Sequence, residues 1–96
     1  MNLNIPFVNG TYIREYSSFL HTSHSLAFDL TAVTGGVLTV RAKKPGSSFF
    51  ENIPDGTINL AAPHTIGFFG MVGEYEFTLA SIAGTATSIV ITDTSA

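Results

Sequence analysis

Apolar and polar residues alternate along much of this chain, most regularly from Glu74 to Asp93. Tyr75, Phe77 and Leu79 alternate with Glu76, Thr78 and Ala80, and Ile89 and Ile91 resume the alternation against Val90 and Thr92. A period of two sends neighbouring side chains to opposite faces, so the stretch predicts two strands, each with one apolar face. The small residues of Ser81 to Ser88, with Gly84 among them, predict a hairpin loop between the two. An apolar sheet face needs cover, so a second sheet is expected from the rest of the chain.

The same alternation recurs upstream. Thr11 to Ser17 predicts an edge strand with Tyr12, Arg14 and Tyr16 on one face and Ile13 and Glu15 on the other. Ser17 to Ser25 is polar and predicts a loop carrying His21 and His24. Leu26, Phe28 and Leu30 then alternate with Ala27, Asp29 and Thr31, and Leu38, Val40 and Ala42 alternate with Thr39, Arg41 and Lys43. With Val33-Thr34-Gly35-Gly36 between them, these two runs predict a hairpin in which Asp29 faces Arg41 or Lys43. Pro45-Gly46 ends it.

Adjacent Phe49 and Phe50 would point to opposite faces of a short strand, one into the core and one left for a loop or another subunit to cover. Pro54-Asp55-Gly56 predicts a turn, since Pro presets φ and Gly accepts a positive one. Ile58 and Leu60 share a face before Pro63 breaks the run. In Thr65 to Gly73, Ile66 and Phe68 share a face, and Phe69 and Met71 share another if a bulge falls near Gly67 or Gly70. Residues 94 to 96 are expected to fray. Residues 1 to 9 form an apolar arm without a clean period, in which Pro6 suits an edge. Ile5, Phe7 and Val8 either close the core of their own subunit or dock on a neighbour.

The pattern therefore predicts an all-β fold: a single antiparallel β-sandwich of seven or eight short strands over residues 10 to 96, preceded by an arm over 1 to 9. Local signals leave jelly-roll and immunoglobulin-like topologies open.

Composition changes this picture in one respect. The chain has 96 residues, of which 45% are apolar and only 11% charged, against roughly 25% charged in a typical domain. A surface this poor in charge has little to keep molecules apart, which favours self-association. The net charge is −3, and the basic residues Arg14, Arg41, Lys43 and Lys44 form no stripe or tail. Nucleic-acid binding requires several phosphates to be neutralised together, so none is expected. Cysteine is absent, which excludes disulfides and thiol catalysis. No apolar run approaches the ~20 residues of a membrane helix, and the opening residues lack a signal-peptide plan. Synthesis in the cytoplasm is expected, and the sequon at Asn9-Gly10-Thr11 is not expected to be used.

Candidate chemistry is sparse. His21, His24 and His64 could meet at a metal only if the fold brought them together, and loop histidines beside Ser and Thr are usually solvated or paired with a carboxylate. No G-x-S-x-G elbow or dinucleotide fingerprint occurs. Glu74 and Glu76 read as a solvated, edge-protecting pair. Tyr12, Tyr16 and Tyr75 could form a sugar-stacking platform, though no tryptophan or carboxamide cluster accompanies them. No enzyme, cofactor or metal is expected.

Three segments carry a family resemblance: LTAVTGGVLTVRAKKPG, PDGTINLAAPHTIGFFG and YEFTLASIAGTATSIVITD, between Leu30 and Asp93. Their order of strands and turns resembles small structural proteins of tailed bacteriophages. The likeness covers about two-thirds of the chain and leaves the N-terminal third unmatched. It implies a non-enzymatic virion protein, a head decoration, connector or tail-associated subunit, made in the host cytoplasm. Its expected partners are itself, as a homo-oligomer such as a trimer, and other virion proteins. The expected contact residues are Ile5, Phe7 and Val8, with those of Phe49, Phe50, Phe68 and Phe69 that find no place inside. Deletion of residues 1 to 8 is then expected to weaken the oligomer without unfolding the domain. The alternative is a small β-sandwich module that recognises a cell-surface glycan through Tyr12, Tyr16 and a loop.

Overall fold

A computed structural model describes residues 1–16, 21–62 and 65–96. The described chain is all-β, with eight strands: β1 (Asn2–Pro6), β2 (Gly10–Glu15), β3 (Ser23–Asp29), β4 (Val33–Lys43), β5 (Glu51–Asn59), β6 (Ile66–Phe69), β7 (Glu74–Gly84) and β8 (Ser88–Ser95). They form two four-stranded antiparallel sheets, ordered β1-β8-β3-β6 and β2-β7-β4-β5. This nested order, with first strand beside last and fourth beside fifth, is the double Greek key of a jelly roll. The sandwich expected from the alternation is present, and its topology is now fixed.

The order also corrects both expected hairpins. β7 and β8 lie in different sheets, as do β3 and β4. The short links between them are arches over the end of the sandwich. Ala32 takes a positive φ of 63° in the first arch, and its carbonyl accepts the amides of Thr85 and Ala86 from the second. Only β4 and β5 pair as sequence neighbours. Period-two alternation fixes which side chains face inward but is silent on the sheet to which a strand belongs. Asp29 accordingly meets neither Arg41 nor Lys43. Its carboxylate accepts the hydroxyl and the amide of Thr31, bonds that hold its carboxyl below the usual range.

Facing assignments fared better than connections. Tyr75, Phe77, Leu79, Ile89, Ile91, Leu26, Leu38, Val40, Ile58, Leu60 and Ile66 all fill the core. Glu74 and Glu76 face outward and pair with Lys43 (2.7 Å) and Arg41 (3.2 Å) on the adjacent β4. The carboxylates are therefore half-buried partners on a central strand rather than a solvated, edge-protecting pair.

Four other expectations are corrected. Pro54-Asp55-Gly56 does not separate two strands; it forms an excursion within β5, where residues 53 to 56 stand opposite Val40 alone. The Asp55 φ of 56° makes that excursion possible. Neither Phe49 nor Phe50 enters the core. The tail is not frayed: Ala96 exchanges backbone bonds with Ser23, and Thr22 donates to Ala96. Residues 2 to 6 are no loose arm, because β1 pairs along β8 and buries Leu3 and Ile5, with Phe7 just beyond. Arg14 seals this side by donating from Nε to the Asn4 carbonyl and from Nη1 to the Ile13 carbonyl.

Candidate functional site

The strand directions gather most of the distinctive side chains at one end of the sandwich. Here β2 and β4 finish, β5 and β7 begin, β6 ends in Phe69, and both termini are found. Two features share this end, one buried and one exposed.

The buried feature is a polar cluster spanning both sheets. Asp93, on β8, is 1% exposed, and His24, on β3, is 2% exposed. The His24 Nδ1 lies 3.0 Å from Asp93 Oδ2 and 3.1 Å from Oδ1. A carboxylate only accepts, so Nδ1 carries the proton and donates. From the opposite sheet the Tyr75 hydroxyl donates to the same Oδ2 at 2.6 Å. Beside it the Tyr16 hydroxyl and Ser95 Oγ share a hydrogen bond of 2.7 Å. Aromatic rings pack around these groups. Phe68 stacks on His24 at 5.1 Å, and Tyr16 meets His24 edge-on at 5.9 Å. Burial, and then the bond to Asp93, pushes the Tyr75 hydroxyl well above its usual pKa. The cluster is sealed from solvent and its acceptor is shared by two donors. That arrangement fixes the spacing and alignment of the two sheets.

The polar run from Ser17 to Ser25 predicts a solvated loop around His24; the structure instead places His24 in β3, buried and paired with a carboxylate. Extending the alternation by one step would have found the pair. His24 continues the inward series Leu26 and Phe28, and Asp93 continues Ile89 and Ile91. Two polar residues at inward positions near the same end are a signal for a buried partnership. His21 is exposed whereas His24 is buried, and His64 lies outside the described residues. The tyrosine platform is not assembled either. Tyr16 and Tyr75 are buried, and Tyr12 spends its hydroxyl on the Val8 carbonyl at 2.7 Å.

The exposed feature surrounds β6. Phe69 is 88% exposed and Met71 44%, the former an extreme value for a phenylalanine in a strand. Together with Ile53, Pro54 and the outer edge of Phe68 they line a groove of about 200 Å³ between β5 and β6. Lys44 and Glu51 stand at its rim, 3.8 Å apart. A wider depression of about 550 Å³ lies nearby between Lys43, Pro45, Gly46 and Gly73. Two of the charged groups that line it pair with each other, Lys43 with Glu74, and Lys43 also lies across the Phe50 ring at 5.3 Å.

The seven expected contact residues are thus divided. Ile5, Phe7 and Phe68 belong to the core of their own chain, and Phe50 is half-buried under Lys43. Val8, Phe49 and Phe69 are exposed, but Val8 sits beyond the far end of β1, while Phe49 and Phe69 share the end just described. No protein-family model, no curated protein and no solved structure matches the chain.

Proposed function

We propose that this jelly-roll domain is a non-enzymatic structural subunit that self-associates and docks on a capsid or tail lattice of a phage-type virion. The observation that carries the reading is Phe69. A phenylalanine 88% exposed on a regular strand, in a chain with only 11% charged residues, favours a surface that is covered in use. Three further points support it. The polar cluster is buried behind Phe68 and works as a pin between sheets. The cations of β4 are paired with carboxylates of β7. The strand-and-turn resemblance to small phage structural proteins runs through β4 to β8. The glycan-binding alternative loses its stacking surface, because Tyr16 faces the core.

Light scattering on a size-exclusion column, across a dilution series, tests self-association. A mass above the 10.2 kDa of one chain, falling on dilution, is expected. A monomer at every concentration overturns the self-associating reading.

A further inference from the structure

The four edge strands are not equally protected. Edge strands expose unpaired amides and carbonyls, and proteins blunt them with charge, proline, bulges or short length; β6 has only the last of these, at four residues. β1 carries Pro6, and its Asn4 carbonyl is taken by Arg14. β2 carries Arg14 itself and Glu15. β5 carries Glu51, Pro54 and the excursion opposite Val40. β6, Ile66-Gly67-Phe68-Phe69, has no charge, no proline and no bulge within it.

Gly67 adds a second observation. Its backbone lies outside the left-handed region, and an added Cβ would meet only the His24 carbonyl, at an ordinary 3.5 Å. Gly36, Gly56 and Gly84 differ, since a Cβ there would come within 3.0 Å of another part of the chain. Nothing among the described residues therefore requires glycine at 67, and β6 has no bulge there, which leaves close approach of another backbone among the uses of a strand glycine. Gly67 and Phe69 are both exposed, two residues apart on the outer face of β6.

We infer that β6 pairs antiparallel with β6 of a second copy, about a two-fold axis through Phe68, joining the two β1-β8-β3-β6 sheets into one. Opposed residues of an antiparallel pair point to the same face. Setting Phe68 against its own copy keeps both Phe68 rings inward. It then sets Gly67 of each chain against Phe69 of the other, both outward. Each exposed phenylalanine ring is laid over the bare backbone of the opposing glycine, and the arrangement is self-complementary, as a two-fold contact requires. The occupant is a second copy because the patch supplies both the ring and the gap that fits it. An isologous edge of this kind yields a dimer, where the sequence left the order of the oligomer open. The inference rests on the self-associating reading above and names its surface.

The test compares three variants by light scattering and thermal unfolding. Wild type is expected at twice 10.2 kDa at high concentration. Phe69→Lys should run as a folded monomer, since the replaced side chain already faces solvent. Gly67→Val should also run as a monomer, and at a concentration low enough to hold the wild type as monomer its melting temperature should match or exceed the wild type's, because valine suits a strand and a Cβ at 67 meets only ordinary contact. Ile13→Lys, on β2 at the other side of the sandwich, should remain dimeric. If wild type associates and Phe69→Lys keeps the same mass, self-association stands but the β6 edge is wrong. At a concentration low enough to hold the wild type as monomer, a Gly67→Val variant that melts well below it would assign the glycine to the fold and overturn the inference. A monomeric wild type overturns both readings.

Discussion

The Tyr75 hydroxyl donates to Asp93 Oδ2 at 2.6 Å, from one sheet to the other, through the interior of the sandwich. The same carboxylate takes the His24 Nδ1 proton at 3.0 Å. Removing the acceptor should therefore cost more than removing either donor. Asp93→Ala leaves a buried hydroxyl and a buried imidazole without this partner, and a loss of about 3 kcal/mol or more is expected. Tyr75→Phe removes one hydroxyl and should cost about 1 kcal/mol. Urea unfolding of the two variants checks the order, and equal losses would mean that Asp93 is not the hub.

The same bond sets a pH dependence. Burial and Asp93 hold the Tyr75 proton well above the pKa near 10 that an unfolded tyrosine has. The folded state thus keeps a proton that the unfolded chain gives up. The stabilisation is complete below pH ~10 and is lost as pH rises above it, by about 1.4 kcal/mol per pH unit from this one group. Denaturant midpoints measured from pH 9 to 11 should fall more steeply for wild type than for Tyr75→Phe. Parallel curves would contradict the assignment.

Which of these features the sequence discloses follows from what alternation encodes. Inward and outward faces were legible at Tyr75, Phe77, Leu79, Ile89 and Ile91, because burial imposes a period of two on any half-covered strand. The connections were not. Gly35-Gly36 looks like a hairpin turn, yet it lies inside β4, where a Cβ on Gly36 would sit 2.9 Å from Ile82 of the neighbouring β7. Glycine for close approach and glycine for a turn have the same letter. The Tyr75–Asp93–His24 cluster was legible only in hindsight of its ends: each partner continues an apolar series, but their meeting depends on β3 and β8 being neighbours. Phe69 could be named as a spare aromatic, while its place on an unprotected edge required the strand order.

Deletion of residues 1 to 8 now carries a different expectation from that of a detachable arm. It would remove the β1 ladder on β8 and the buried side chains of Leu3, Ile5 and Phe7. Large-to-small losses at such positions run to about 2–5 kcal/mol each, against total stabilities of roughly 5–15 kcal/mol for small domains. The truncated chain should be unfolded by circular dichroism at 25 °C and should aggregate. A folded truncated protein would show that β8 can serve as an edge.

Glycines at two positions offer the sharpest contrast between internal and external constraint. Gly84 has a φ of +132°, and a Cβ there would lie 2.4 Å from the Ala32 carbonyl oxygen. That carbonyl is fixed by the amides of Thr85 and Ala86, so it cannot move without breaking the joint between the two arches. Gly84→Ala should therefore lose about 2–4 kcal/mol, combining a strained backbone with an overlap. Gly67→Ala meets neither obstacle and should be neutral or up to about 1 kcal/mol stabilising in the monomer. Thermal unfolding of both variants at a concentration low enough to hold the wild type as monomer separates the cases. Equal losses would place the reason for Gly67 inside the chain; a large loss at Gly84 alone leaves the outer face of β6 as the place where that glycine is needed.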